Sequence, residues 1–415
     1  MLAAASDTRP GAGVLAGQCE HDRVTRTLFA SGSVLDVVSG EIWGTDVVVE
    51  GERIVAVGRG LDGDEVVDCA GSLLVPGFID CHTHVGLAET MKDSFRLARS
   101  VRPLSAVPVL RTLLGLGITT IRDAWGADAG MRLAVERGWI EGPEILVSLR
   151  QVCTTGGIGD HWTPRVGDVD FFGDPAMPDP VFNGPVEARA TVRRMVRAGA
   201  DWIKVTATGS MSLGHGVHDV QLTPGEMAAL VDEATRQGGR GVMVHAHGAR
   251  AAELAARAGA RSVEHGTYLD EAAVGAMAEA GTWLVPTLSV TQSAPDESPE
   301  GAPEAHRRAV KLALDAGVPI AMGTDNPVRP HTEALREIEH LAAAGLGHAG
   351  ALRAATIDAA RLLRLHDDRG EIAAGKRADL VLLSGIGLDP ATLASRIQGV
   401  WRGGRRVGRA APVAA

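Results

Sequence analysis

The chain has 415 residues, of which 45% are hydrophobic and 22% charged, enough for one large domain and a small one with an ample core. Acidic residues outnumber basic ones 51 to 41, and the net charge of -10 repels a phosphate backbone with no Lys/Arg-rich run to offset it, so nucleic-acid binding is disfavoured. The 4 cysteines show no CxxC pairing, no basic n-region precedes an apolar leader, and no stretch is long and apolar enough to span a bilayer. A cytoplasmic protein acting on a small-molecule substrate, with no membrane partner and with homo-oligomer formation left open, is the expectation.

Residues 1–25 are Gly/Ala-rich and polar and read as a flexible N-terminal extension. From about Thr27 to Leu74, short β-rich runs such as IWGTDVVVEGERIVAVG alternate with Gly and Asp, the pattern of hairpins in a small sheet. Matching text returns near the end in GEIAAGKRADLVLLSG and IQGVWRGGRRVGR. Residues 26–76 and 368–412 are therefore expected to form one small β-sandwich domain from both termini.

Between them, eight apolar β-rich runs alternate with Ala/Leu/Arg-rich helical text. In chain order they are LVPGFIDCHTHV, GITTIRDAW, EILVSLRQV, DWIKVTATG, GVMVHAHG, SVEHGT, TWLVPTLSV and PIAMGTDN. This predicts an α/β catalytic domain over residues 77–367, a (β/α)8 TIM barrel. An open doubly wound sheet is the competing arrangement, but no GxGxxG or GxxxxGKS/T element follows an early strand.

A barrel places its chemistry at the C-terminal ends of its strands, and the ionisable residues gather there. Alternation along a strand points His82 and His84 the same way, two nitrogen donors on one side as a divalent ion requires. His245 and His265 add single imidazoles on neighbouring strands; either alone reads as a hydrogen-bonded core histidine. Asp325, in GTDN, adds a carboxylate that can ligate a metal and take a proton from metal-bound water. Lys204, flanked by Ile and Val, is the oddity, because a free ammonium is costly there. It pairs with a carboxylate, snorkels to the rim, or has been converted by CO2 to a carbamate able to bridge two cations.

In order, VPGFIDCHTH, GADWIKVTATGS, HAHG, SVEHGT, GTDN and GEIAAGKRADLVLL resemble the amidohydrolase superfamily over about residues 26–410. The branch resembled holds imidazolonepropionase-like, Xaa-Pro dipeptidase-like and ochratoxinase-like amidases. The resemblance implies a binuclear centre of divalent metal, normally Zn2+. His82, His84 and Asp325 would hold one ion, His245 and His265 the other, and Lys204, carboxylated by CO2, would bridge them. A metal-bridged hydroxide would cleave the amide C–N bond of an N-acyl amino acid, a dipeptide such as Xaa-Pro, or an aryl amide, with Asp325 carrying the proton. The rival activities are a mononuclear cyclic-amide hydrolase or deaminase, a lactonase and a phosphotriesterase-like enzyme; a non-catalytic barrel subunit is the rival outside enzymes.

Two departures from that pattern matter. Prolidase-like members carry a Tyr where this chain has His247, which takes over stabilisation of the oxyanion or supports a ligand from behind. Related chains read GGHGD where this one reads Gly156-Gly157-Ile158-Gly159-Asp160, with His161 next in line. The long Gly/Pro-rich segment that follows carries His161, Trp162, Arg165, Phe171, Phe172 and Phe182, and is expected to form a substrate-covering lid with an apolar wall. His161, Trp162, Arg165 and Tyr268 are the substrate-binding candidates, Arg165 for a substrate carboxylate. His215 and His218 are expected at the rim, and Arg122 with Asp123 in a structural salt link beneath the site.

Overall fold

Val- and Leu-rich runs at both ends of the chain need partners for their apolar faces, and each end supplies the other's. The structure, a computed structural model, describes residues 25–87, 98–170, 172–211 and 215–407. The expected extension falls outside the described residues up to position 24, as does Phe171 of the expected lid. The first seven strands are β1 (Arg26–Ala30), β2 (Ser33–Leu35), β3 (Ile42–Gly44), β4 (Asp46–Glu50), β5 (Arg53–Gly58), β6 (Glu65–Asp68) and β7 (Ser72–Pro76). One sheet runs β5-β4-β1-β6. In a second, β7 lies antiparallel to Leu380–Ser384, with Val75 opposite Val381 and Leu74 opposite Leu382. That late strand continues through Ile397–Arg402 to Arg405–Val407, so the second sheet is built from both ends of the chain. Phe29 of one sheet meets Trp401 of the other edge to face at 4.9 Å, inside a cluster that includes Val47, Ile54, Leu74 and Leu380.

Only Gly77 separates β7 from β8 (Phe78–Thr83), which carries His82. β8 pairs in parallel with β9 (Ile118–Asp123), and β9 with β10 (Glu144–Val147). A further parallel sheet runs β11 (Gln151–Val152), β14 (Ile203–Thr206), β15 (Val242–Gly248), β16 (Ser262–Tyr268) and β17 (Trp283–Val285); the two-residue strands β12 (Trp162–Thr163) and β13 (Gly167–Asp168) form a small hairpin between β11 and β14 in the chain. Helices connect the parallel strands, and with aromatics so scarce they pack largely through alanine. In Ala249–Arg257 the residues Ala251, Ala252, Ala255 and Ala256 are all buried, a stripe at helical spacing. Helix Pro224–Arg236 begins with a capping box between Thr223 and Glu226 and with Pro224 where a missing N–H costs nothing. None of the described helices is long and apolar enough to cross a membrane.

Besides LVPGFIDCHTHV, which Gly77 divides between β7 and β8, three of the eight expected strands come out differently, each for a backbone reason. EILVSLRQV is two short strands, β10 and β11, because Leu149 adopts φ +68° between them. TWLVPTLSV stops at Val285: Pro286 offers no N–H, Thr287 sits at φ +53°, and Ser289–Gln292 is already helical. PIAMGTDN forms no regular strand, since Asp325 at φ +58° leaves the extended region. It still bonds on both sides, Ala321 N donating to Leu284 O and Cys81 N to Met322 O, with Asp325 N donating to His82 O. The segment thereby ties β17 to β8 and delivers Asp325 beside His82.

Phe78 is fully buried where the terminal sheets hand over to β8. Phe78→Ala should cost about 3–5 kcal/mol of stability, read as a lower urea midpoint; an unchanged midpoint would remove Phe78 from the core.

Candidate metal centre

The centre is best read from its protons. His84 Nδ1 lies 3.0 Å from the carbonyl oxygen of Trp125, which can only accept, so the ring carries hydrogen there and turns the Nε2 lone pair inward. His82 Nδ1 likewise donates to Glu264 Oε2 at 2.7 Å. Both Nε2 atoms face Asp325 Oδ1, at 3.3 Å from His82 and 2.9 Å from His84. Two nitrogen lone pairs and a carboxylate thus converge on one point, and ligand atoms of these three residues lie within 4.8 Å of one another. Three acceptors together need a cation, and a divalent metal ion fits this donor set.

Lys204 stands against the same point, its Nζ 3.2 Å from His82 Nε2, on a side chain only 1% exposed. On the far side, His245 Nε2 donates to Gly209 O at 3.2 Å, which leaves Nδ1 as the ligand atom. The rings of His245 and His265 lie 4.5 Å apart, and those of His82 and His265 4.9 Å. His265 and Asp325 both adopt left-handed backbone, φ +71° and +58°, a conformation that only tight surroundings sustain in residues other than glycine. Buried His306 supplies one restraint, its Nε2 donating to His265 O at 3.0 Å while Thr291 Oγ1 sits 2.9 Å from its Nδ1.

Burial and charge set the protonation states. Burial lowers Lys204 to about 8 although Glu264 and Asp325 pull the other way. Burial would raise Asp325, but its close contacts with His82 and His84 outweigh burial and hold it well below the usual carboxylate range. Burial pushes His245 and His265 well down, and His247 to about 3, so all three stay neutral and able to offer lone pairs.

Beneath these residues lies a support of which the sequence reading anticipated Arg122 but not Glu264. Glu264 and Arg122 are both wholly buried; Arg122 Nη2 meets the two carboxylate oxygens at 3.0 and 3.1 Å. Arg122 also donates from Nε to Cys81 O at 2.6 Å and stacks 4.7 Å from the Trp202 ring. Glu264, though burial opposes it, is held ionised at about 2 by Arg122 and by the hydrogen bond from His82. The salt link expected beneath the site exists, then, but Arg122 pairs with Glu264. Asp123 instead accepts the backbone N–H groups of Val85 and Ala127. Asp80 was also missed: it takes the N–H of His82 and both the N–H and hydroxyl of Thr324, which pins β8 to the Asp325 segment. The readable signal for both was a charged residue inside an apolar run.

A cavity of about 490 Å³ opens above the centre, lined by His82, His84, Lys204, His245, His247, His265 and Asp325 with Trp125, Ile158, Met211, Val290 and Val328. His247 Nδ1 is 2.9 Å from Thr267 Oγ1. The four substrate-binding candidates do not line this cavity. Trp162 is 58% exposed and Arg165 is exposed on the surface beside the small hairpin. His161 stacks behind Trp125 with ring centroids 6.0 Å apart, and Tyr268 packs on His218 at 4.8 Å. The expected aromatic lid wall is corrected in the same way: Phe172 and Phe182 are core residues, Phe172 held between the guanidinium groups of Arg102 and Arg150. Large apolar rings gain more from full burial than from a loop surface. Among the cavity-lining residues, Arg329 and Glu297 were not anticipated.

A sequence model of the amidohydrolase family matches residues 73–408. The chain is 29% identical over 365 residues to the ochratoxinase of Aspergillus niger, covering 80% of this chain and 75% of that enzyme. With the imidazolonepropionase of Rhizobium meliloti it shares 30% identity over 379 residues, 81% of this chain and 84% of the other. Among solved structures, a prolidase complexed with N-methylphosphonate-L-proline superposes with a TM-score of 0.85 at 32% identity, over 93% of this chain and all of that one. The parallel-stranded body is accordingly a TIM-barrel-like α/β fold.

Glu264→Gln removes the charge that Arg122 and His82 share. It should cost about 3–5 kcal/mol of stability and weaken metal binding about 10- to 100-fold, measured by chemical denaturation and metal titration. Wild-type values in both would show that Glu264 does not hold His82 for the metal.

Proposed function

The chain belongs to the amidohydrolase family as a metal-dependent hydrolase acting on carbon–nitrogen bonds, and on that premise we propose a binuclear enzyme that cleaves the amide of an N-acyl amino acid, a dipeptide or an aryl amide. The observation that carries this reading is the convergence of His82 Nε2, His84 Nε2 and Asp325 Oδ1 on one point with the ring protons directed outward. In this reading the strands from Phe78 to Asp325 close into a (β/α)8 barrel over residues 77–367. The terminal sheets, residues 26–76 and 368–412, form a β-sandwich beside it.

His82, His84 and Asp325 would hold one divalent ion, and His245 and His265 a second, with zinc the fitting identity for imidazole and carboxylate donors. Lys204, once carboxylated by CO2, would supply a further anionic ligand to them. Its depressed pKa, about 8, supports this, because only the neutral amine attacks CO2, forming the N–C bond and releasing one proton. When bound, such a pair supplies a nucleophile at neutral pH and a Lewis acid for the amide carbonyl. The side chains of the centre manage the protons. Asp325, held ionised, accepts the proton of the attacking water and returns it to the departing amine. His247, neutral and fixed at Nδ1 by the Thr267 hydroxyl, presents Nε2–H to the oxyanion when that hydroxyl is the donor. The apolar part of the cavity wall, including Trp125, Met211 and Val290, excludes water and receives the apolar part of the substrate.

A release-of-amine screen with zinc and bicarbonate, spanning N-acyl amino acids, Xaa-Pro dipeptides and anilides, tests the activity. Chelation should abolish turnover and zinc restore it. Lys204→Ala should bind at least one metal ion fewer per chain and lose nearly all hydrolysis; two ions and wild-type turnover in that variant would refute the bridge. Asp325→Asn should keep the fold by circular dichroism and lose about 10²- to 10⁴-fold in kcat, and an unaltered kcat would take Asp325 out of proton transfer.

A further inference from the structure

Among the described residues, two lysine or arginine side chains line the cavity above the centre, Lys204 and Arg329. Lys204 is committed to the histidines and Asp325. Arg329 is different: it follows Asp325 by four residues, on the segment that also carries cavity-lining Pro327 and Val328. Its side chain is 18% exposed, so most of the guanidinium stem is withdrawn from water. Nε is buried and has no hydrogen-bond partner among the described residues, while Nη1 contacts Glu297 at 3.0 Å. Glu297 is 72% exposed at the cavity mouth. An ion pair with so exposed a carboxylate is weak and easily exchanged. A buried guanidinium nitrogen without a partner calls for an acceptor. A carboxylate entering the cavity could take over the Nη1 contact from Glu297, displacing it into solvent, and a turn of the guanidinium would then present Nε for the two-point geometry arginine favours.

We propose that Arg329 recognises a carboxylate on the substrate, so that the enzyme favours N-acylated amino acids and dipeptides over neutral aryl amides. The inference rests on the amide-hydrolase reading above and narrows its substrate class. Glu297 occupies the subsite between turnovers, and the apolar lining contributed by Met211, Val290 and Val328 suits an apolar amino-acid side chain next to that carboxylate. Arg165, nominated from the sequence for this task, lies exposed and away from the cavity lining.

The test uses the full-length zinc- and bicarbonate-treated protein and matched pairs of amides. N-acetyl-L-proline, N-acetyl-L-leucine and N-acetyl-L-phenylalanine are compared with the acetamides of the corresponding decarboxylated amines. For at least one pair the wild type should show a kcat/KM about 10- to 100-fold higher on the carboxylate, the range of a hydrogen bond to a charged group. Arg329→Met should erase that difference while changing turnover of the neutral partner little. Binding gives a second readout: N-methylsulfonyl amino acids, which cannot be hydrolysed at the sulfonamide, should bind Arg329→Met more weakly by a similar factor. Equal wild-type rates within every pair, or an Arg329→Met variant that slows both members alike or neither, would overturn the carboxylate subsite and leave the hydrolase reading standing. If the metal-loaded wild type turns over neither set nor any amide of the broader screen, the hydrolase reading itself fails and this inference with it.

Discussion

The hydrogen bond from His82 Nδ1 to Glu264 is the contact on which the centre depends. It fixes the ring's orientation and leaves Nε2 unprotonated toward Asp325 and Lys204. As an anion Glu264 can only accept, and it is held an anion chiefly by Arg122, which lies beside it in the same dry interior, with His82 and Lys204 adding to the effect. The interior therefore carries two charges of opposite sign below the site, and the lone-pair cluster above is free to balance a cation of its own. Had Glu264 been neutral, its hydroxyl could donate to His82 as readily as accept, and the direction of the imidazole lone pair would no longer be specified. A buried pair of this kind contributes little net stability; what it contributes is a defined protonation state.

Much of this was legible in the sequence because period-two alternation is a strong signal. His82 and His84 stand two apart in an apolar run, and the structure turns both toward Asp325. Lys204 stood out because a lysine between Ile203 and Val205 has no inexpensive solvent-facing position, and its side chain is indeed buried. The order of motifs from VPGFIDCHTH to GEIAAGKRADLVLL sufficed to identify the family. Glu264 escaped because it adjoins His265, and alternation assigns neighbours to opposite faces. The left-handed turn at His265 breaks that rule, so Glu264 supports His82 from below while His265 joins the cluster above. Positive φ at His265, Thr287 and Asp325 has no sequence mark when the residue is not glycine, which also explains why the last two strands were drawn too long and too regular.

The surroundings of the cavity were the least readable part. A loop residue's side chain is placed by contacts with segments far away in the chain, and composition says nothing about those. Trp162 and Arg165 ended at the surface beside a two-strand hairpin. Phe172 was drawn inward, where two arginines and Trp125 enclose it. Arg329 went unremarked because it lies beyond the strand-end pattern, in a turn whose direction follows from the irregular backbone at Asp325.

The pairing of β7 with Leu380–Ser384 has a consequence in time as well as in space. A ribosome makes β7 and the His82 strand early and delivers the late partner of β7 only after some 300 further residues, at typical elongation rates about 15–60 seconds later. Until then the strand leading into the metal-binding residues has an open edge, unsupported on the side that Val381 and Leu382 will occupy. The strand that leads into His82 and His84 therefore gains its support on that side only once Leu380–Ser384 has been made.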